Sequence, residues 1–442
     1  MLARAPRGKI GAVRARQAAM EPRPVRRLVI ALLLVVTTLV AGHGSIAAAD
    51  HADGRDGLEW GDPPGRPQAA IPQGSQAGTK SGGWADVPAG HWAHAAIDNV
   101  AWTHRWMRDF GQRTFRPDSP ETRKLLARAV VRAFAPAAKR DPGLRFSDLP
   151  RDSPFERYAN VAVKRGWMLP FGHRFRPNGL VTPVVVHRAL LFAIGLRRVV
   201  AGINRIHTTD GYVFEHGLTL GTRLLGNELG LRYNHDDESL DVGPGSKLNR
   251  AEVAWSLAQA YVVDTSETWR KTAVQPYAKL HLGPVPVRFR RVVEFGLRYV
   301  GYPYVYAGEW HRRSPPGYCC GFQARGGFDC SGLLWWVLRA PDSIYDNSSI
   351  RHYRGYVLRE RSSRDMAAAI PAGRRLTYDR ARAGDILFMD GDDDGTIDHT
   401  SLFLGWGWAL DSGSQGVTIV RTADPESWYR TKFTWARRLV PA

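Results

Sequence analysis

Cysteine is scarce in this 442-residue chain, and the three it has are poorly placed for cross-linking. Cys319 and Cys320 are adjacent, with Cys330 a short way on. An odd count of this kind excludes a disulfide framework. The spacing also matches no ordinary structural zinc site. Long apolar runs are equally lacking. The stretch from Leu28 to Val40 falls short of the roughly 20 residues that span a bilayer. Acidic residues are too few to balance the basic ones, 42 against 61, for a formal charge of +19. Such a surface attracts polyanions, although a genome-wide arginine bias accounts for part of the excess.

The N-terminus carries an export signal. Arg23, Arg26 and Arg27 precede the apolar stretch, and Ala47-Ala48-Ala49 supply small residues for cleavage before Asp50. A basic region, a short apolar region and a small-residue exit form a secretory signal, so residues 1–49 are expected to leave the mature chain. That chain keeps 53 Lys/Arg against 41 Asp/Glu, a formal +12. For an exported protein the matching polyanions are wall polymers or anionic lipid, not nucleic acid. No membrane span is expected once the signal is cleaved.

Residues 50–83 are rich in Gly, Pro, Gln and Ser and read as a disordered linker. From 84 to 263 the sequence repeats. Trp84-Ala85-Asp86 is echoed by Phe146-Ser147-Asp148, Phe115-Arg116-Pro117 by Phe175-Arg176-Pro177, and Thr122 by Thr182. A nearly constant offset, 62 residues at the first echo and 60 at the other two, marks duplicated units. Each unit reads as helix, loop, helix. Trp92, Ala96 and Val100 fall on one helical face, and Phe-Arg-Pro is expected to form an extended turn. Thr122 stands where it can cap the next helix. A third, weaker copy ends at Asn249-Arg250-Ala251-Glu252.

These units resemble the S-layer homology module, which commonly occurs as three tandem copies. The resemblance implies an all-α region that binds an anionic secondary wall polysaccharide. Trp84, Asp86, Trp92, Arg123 and Arg250 are its candidate polymer contacts. The second copy departs from the pattern, with Pro183 in place of the arginine. Residues 264–286 read as a second, proline-bearing link.

The remaining residues, 287–442, carry the chemistry. Arg290 to Val300 reads as an amphipathic helix. Asp329-Cys330-Ser331-Gly332 opens an apolar helix, so Cys330 sits in the positive field of a helix N-terminus, which favours the thiolate. His399 heads a later strand, Ser401 to Leu404, whose hairpin partner runs from Trp408 to Asp411. In a hairpin centred on Gly405, His399 and Asp411 are directly opposed and close enough to hydrogen-bond. The second imidazole nitrogen then faces Cys330, an orienter–base–nucleophile relay built on cysteine.

These segments resemble the NlpC family of cell-wall cysteine peptidases, whose fold is papain-like. The overall expectation is therefore an α+β chain, a papain-like catalytic domain behind an all-α repeat region. By resemblance Cys330 is the nucleophile, His399 the base, and Tyr304 a neighbour of the oxyanion site. The family cleaves the γ-D-glutamyl–diamino acid bond of peptidoglycan stem peptides, so the chain is expected to be a secreted, wall-associated endopeptidase. Three features depart from the family, the smallest being Thr400 after His399 where a small aliphatic is usual. The family's third polar position, usually His, Asn or Gln, is Asp411, and an insertion from Glu309 to Arg325 separates Tyr304 from Cys330. Two alternatives stay open at this level: a wall-binding domain that does not cut, and an amidase or acyltransferase on the same fold.

No organic cofactor is implied. Before His399, however, Asp390, Asp392, Asp394 and Asp398 fall at positions 1, 3, 5 and 9 of a calcium-type loop with Gly395 at position 6. The bidentate Glu is missing, since position 12 is Ser401. A solvated acidic turn is the competing reading. A bound calcium would fix the approach to His399.

Overall fold

Three helix pairs build the first region. The first is α1 (His94–Ile97), which passes into a π-helical stretch at Asp98–Thr103, with α2 (Arg123–Phe134). The second is α3 (Glu156–Lys164) with α4 (Pro183–Ala193), after which α5 (Arg197–Ile203) leads to a short strand β1 (His207–Thr208). The third is α6 (Leu220–Glu228) with α7 (Arg250–Thr265). The computed structural model describes residues 83–111, 113–313, 323–338 and 358–439. The signal at 1–49, almost all of the linker at 50–83, and Cys319 and Cys320 lie outside the described residues.

The pairs close into a ring. The Glu121 amide donates to Leu248 O (2.9 Å), Leu248 to Val181 O (3.1 Å) and Val181 back to Glu121 O (3.2 Å). The helices follow the same cycle, α2 packing on α3, α4 on α6 and α7 on α1. Arginines rivet two of the junctions. Arg123 Nε donates to Phe175 O and Arg250 Nε to Phe115 O, both at 2.8 Å. Pro183 offers no such rivet at the third.

The Phe-Arg-Pro turns are not extended. Arg116 and Arg176 have φ of 62° and 57°. In each turn a preceding aspartate takes two successive amides: Asp86 those of Phe115 and Arg116, Asp148 those of Phe175 and Arg176. Gathering both amides on one carboxylate overrides the pre-proline preference for extended backbone. Thr122 does stand at the N-cap of α2, but its hydroxyl makes no cap bond; Asn249 at α7 does, accepting from the Glu252 amide at 2.9 Å.

Residues 264–286 are ordered, with α8 (Trp269–Ala273), a 3-10 turn and β2 (His281–Leu282), which pairs with β1 in parallel. Tyr277 is buried there and donates to Ile419 O at 2.8 Å. Beyond lie α9 (Val287–Leu297), the β3–β4 stem (Glu309–Trp310, Gly327–Phe328), α10 (Cys330–Leu338) and α11 (Ser363–Ala368). An antiparallel sheet follows, from β5 (Asp385–Met389), β6 (His399–Gly405), β7 (Trp408–Gly413), β8 (Gly416–Arg421) and β9 (Phe433–Arg438), in the order β8-β7-β6-β5-β9. α12 (Trp428–Thr431) enters β9. The edge strand β8 is covered by α6, where Asn227 donates to Val417 O (3.2 Å) and Thr418 to Glu228 (2.7 Å). That contact removes an exposed sheet edge and joins the helical region to the sheet. Among the described residues no helix is long and apolar enough to cross a membrane.

Candidate active site

Cys330 is the first residue of α10, and the helix is anchored from below. Asp329 accepts hydrogen bonds from the Gly332 amide and from the Ser331 hydroxyl (3.1 Å). Arg361 holds that carboxylate (3.0 Å), together with Glu309 (2.7 Å) and the Ser331 oxygen (2.9 Å). Burial alone would pull the Arg361 pKa down, but Asp329 and Glu309 push it further up. Gly332 has no room for a side chain, since a Cβ there would lie 2.0 Å from Gly308 O. The Asp-Cys-Ser-Gly motif is thus a capped, tightly seated helix start.

β6 brings His399 over the helix terminus. Its Nε2 bonds Asp411 Oδ1 at 2.7 Å, and its other side faces Cys330. Burial lowers the imidazole pKa, yet the charges of Asp411 and Cys330 and the bonds to both hold it well above the ordinary value. Asp411 is fully buried. Burial pushes its carboxyl up, but His399 and hydrogen bonds from Ser401 (2.6 Å) and Tyr429 (2.8 Å) hold it below the ordinary value. The histidine is also packed edge-on against Trp428, with centroids 5.5 Å apart.

The hairpin register differs from the expected one. Leu402 faces Leu410 and Phe403 faces Ala409, so Ser401 stands opposite Asp411 and His399 lies two residues beyond. The turn is centred one residue later than Gly405. A shift of two in pairing keeps both side chains on the same face, and a diagonal pair is within reach of an imidazole. The expected contact forms across a different register.

Tyr304 reaches the same site, bridging to Phe328 just before Cys330. Burial raises its pKa well above the ordinary tyrosine value, and the neighbouring Cys330, Asp329 and Glu238 add to this. Cys330, His399, Asp411 and Tyr304 therefore converge. What this arrangement can do chemically is attack a carbonyl carbon from sulfur, with a proton carrier alongside and helix amides at the developing oxyanion.

The acidic loop is partly assembled. Asp390, Asp392 and Asp398 bring carboxylate oxygens within 4.8 Å of one another. Asp394 does not join them and accepts from the Thr396 amide at 2.6 Å. Ser401 is turned into the sheet on Asp411. The donor set offers fewer oxygens than the six to eight of a full calcium loop.

The candidate polymer contacts are held apart and mostly inward. Trp84 is buried and donates to Asp98 (2.6 Å), while Asp86 holds the turn described above. Arg123 and Arg250 are 5% and 1% exposed, and their donors go to Leu169 O and Phe175 O, and to Asp109, Glu121, Met107 and Phe115. The resemblance made these guanidinium groups candidate polymer contacts; in the structure their bonds run between the helix pairs. Half-buried Trp92 stacks on Tyr233 with centroids 4.5 Å apart.

A family model described as the NlpC/P60 family matches residues 301–438. Those residues form an NlpC/P60 domain. Among solved structures, an NlpC/P60 family protein from Bacillus cereus is 22% identical over 36% of this chain and 42% of its own, with a TM-score of 0.25. The chain thus spans less than half of that relative. The peptidoglycan hydrolase RipB from Mycobacterium tuberculosis is 26% identical over 36% of this chain and 70% of its own, with a TM-score of 0.24. A P60 domain from a Mycobacterium avium subspecies paratuberculosis antigen is 28% identical over 35% and 100%, with a TM-score of 0.22. No curated protein matches the chain.

Several residues around the NlpC/P60 site went unread in the sequence. Arg361 has no local pattern, because its partners come from distant segments. Gln323 binds the Glu309 amide (3.2 Å) and the carbonyls of Trp310 (3.0 Å), Arg325 (2.7 Å) and Gly327 (2.9 Å), tying together both ends of the insertion. Glu238, from the loop before α7, accepts from the Tyr306 amide at 2.8 Å. The helical region therefore reaches the segment that carries Tyr304 and Tyr306. Only the Ser401–Asp411 pairing carried a signal, the even spacing of polar residues along β6.

Proposed function

We propose that the chain is a secreted, wall-associated cysteine endopeptidase that cuts peptidoglycan stem peptides, at the bond between γ-D-glutamate and a diamino acid. The observation that carries this reading is the buried His399–Asp411 pair facing Cys330 at the start of α10. The Cys330 thiolate adds to the scissile carbonyl, and the oxyanion forms against the helix-terminal amides beside Tyr304. Protonated His399 gives its proton to the leaving amine as the C–N bond breaks, leaving a thioester on Cys330. Water, deprotonated by His399, then cleaves the thioester and restores the thiol. Asp411 keeps the imidazole oriented and stabilises its charged form.

The helical region is proposed to tether the enzyme to anionic wall polysaccharide, through surface other than the inward-bonded Arg123 and Arg250. Its support is the resemblance of its repeats and the basic balance of the chain. The proposal is tested on purified wall peptidoglycan. The full chain should release new amino groups with time, and Cys330→Ala should release none. Binding to walls without any release by the wild type would favour the non-cutting alternative.

A further inference from the structure

The β6–β7 hairpin turns through Trp406 and Gly407, both with positive φ (54° and 74°). A two-residue turn of this kind favours Asn-Gly or Gly-Gly. A tryptophan in its first position is out of place, since bulky residues rarely adopt positive φ. Such an outlier invites a functional reading. The ring is also seated. A Cβ on Gly283 would lie 2.1 Å from Trp406 Cδ1 and 2.6 Å from Nε1, so only glycine lets the indole settle there. His281 meets it edge-to-face at 5.3 Å. Despite these contacts Trp406 remains 59% exposed.

His281 leads on to a second imidazole. It pairs with His207 across β1 and β2, and the two rings stack with centroids 6.2 Å apart. Each ring is oriented the same way, its Nδ1 bonding the carbonyl two residues earlier, Lys279 O at 2.7 Å and Arg205 O at 2.8 Å. In the neutral rings this leaves Nε2 as an acceptor, and no described residue bonds it. One exposed aliphatic, Val213, adjoins through its bridge to His207, too little for a lipid-facing surface.

We propose that Trp406, His281 and His207 form a subsite for a neutral amino-sugar strand, distinct from the cysteine site. The apolar face of a pyranose stacks on the fixed indole, and its hydroxyls bond the imidazole nitrogens. The subsite rests on the proposed function in one respect: it would hold the glycan whose stem peptides Cys330 cuts.

The test uses the full chain carrying Cys330→Ala and a β-1,4-linked N-acetylglucosamine hexamer, measured by calorimetry. Trp406→Asn supplies a residue that the turn favours, so the variant should fold with an unchanged or raised Tm. It should bind the hexamer about tenfold more weakly or worse, and Trp406→Phe should recover part of the loss. With Cys330 intact, Trp406→Asn should cut soluble stem peptide at the wild-type rate and release less from whole walls. Equal hexamer binding with and without the Trp406→Asn change would overturn the subsite. So would adsorption to anionic phospholipid vesicles, or self-association in sedimentation, that depends on Trp406 while the hexamer does not bind. Soluble stem peptide left uncut by the wild type would sink the hydrolase reading alone, whereas unchanged hexamer binding would sink the subsite alone.

Discussion

Each half of this chain buries an arginine among acids, and the two end in different places. Arg250 lies in the helical region, bonded to Asp109 and Glu121 at 2.9 Å each and to two carbonyls of the first helix pair. Every one of these bonds joins scaffold to scaffold. Arg361 makes a similar set of bonds to Glu309 and Asp329, but Asp329 in turn holds the first turn of α10. The same chemistry closes a ring in one region and aims a thiol in the other. A buried ion pair says little about purpose until the far side of each partner is traced.

The comparison can be broken first at the relay itself. Asp411→Asn should lower kcat on stem peptide by roughly 10²- to 10⁴-fold, with little loss of fold because Ser401 and Tyr429 still have a partner. It should also shift the pH profile. A raised His399 pKa means the imidazolium contributes stability at low pH, lost as pH rises through that raised value. The depressed Asp411 carboxyl contributes above the ordinary carboxylate range, and its share is lost as pH falls. Removing the Asp411 charge should therefore move the alkaline limb of activity toward acid; an unmoved limb would count against the pairing.

Arg361→Ala and Arg250→Ala separate the two networks. Each removes a buried cation from two carboxylates and should cost about 3–5 kcal/mol in denaturant titration. They should differ in kcat per folded molecule, which falls for Arg361→Ala and holds for Arg250→Ala. Equal kcat in both would erase the contrast.

A smaller effect lies at Glu121, whose pKa is pushed up to about 7 by burial, against the pull of Arg250. Its neutral form favours the fold below the ordinary value of 4.5, and that contribution is lost as pH rises through about 7. Glu121→Gln should flatten the stability of the helical region across that window, read by thermal melts at a series of pH values. Smallest of all is the acidic loop. With three converging carboxylates, chelator should lower activity by about twofold or less, reversed by calcium. Asp392→Asn should abolish that sensitivity, and a wild type indifferent to chelator would remove the cation from the account.

What could be read in the sequence was what local pattern encodes. The helix starting at Cys330, the strand headed by His399 and the even parity that puts Asp411 on its face all follow from period and motif. The register did not, because Trp406-Gly407 makes the turn where glycine alone pointed to Gly405. Arg361 was invisible since Glu309 and Asp329 are brought to it only by folding. In the helical region, Asp86 and Asp148 were legible as echoes but not as clamps on the Phe-Arg-Pro turns. The bonding partners of Arg123 and Arg250 were not legible either, because sequence shows charge and not where its donors point.

The central claim is that Cys330 is acylated by its substrate, and rapid-quench intact-mass spectrometry with a stem peptide tests it directly. The account predicts a transient adduct with the mass of the acyl fragment ending in γ-glutamate, mapped to Cys330 and absent from Cys330→Ala. Turnover with no adduct on Cys330, or undiminished in Cys330→Ala, would contradict it.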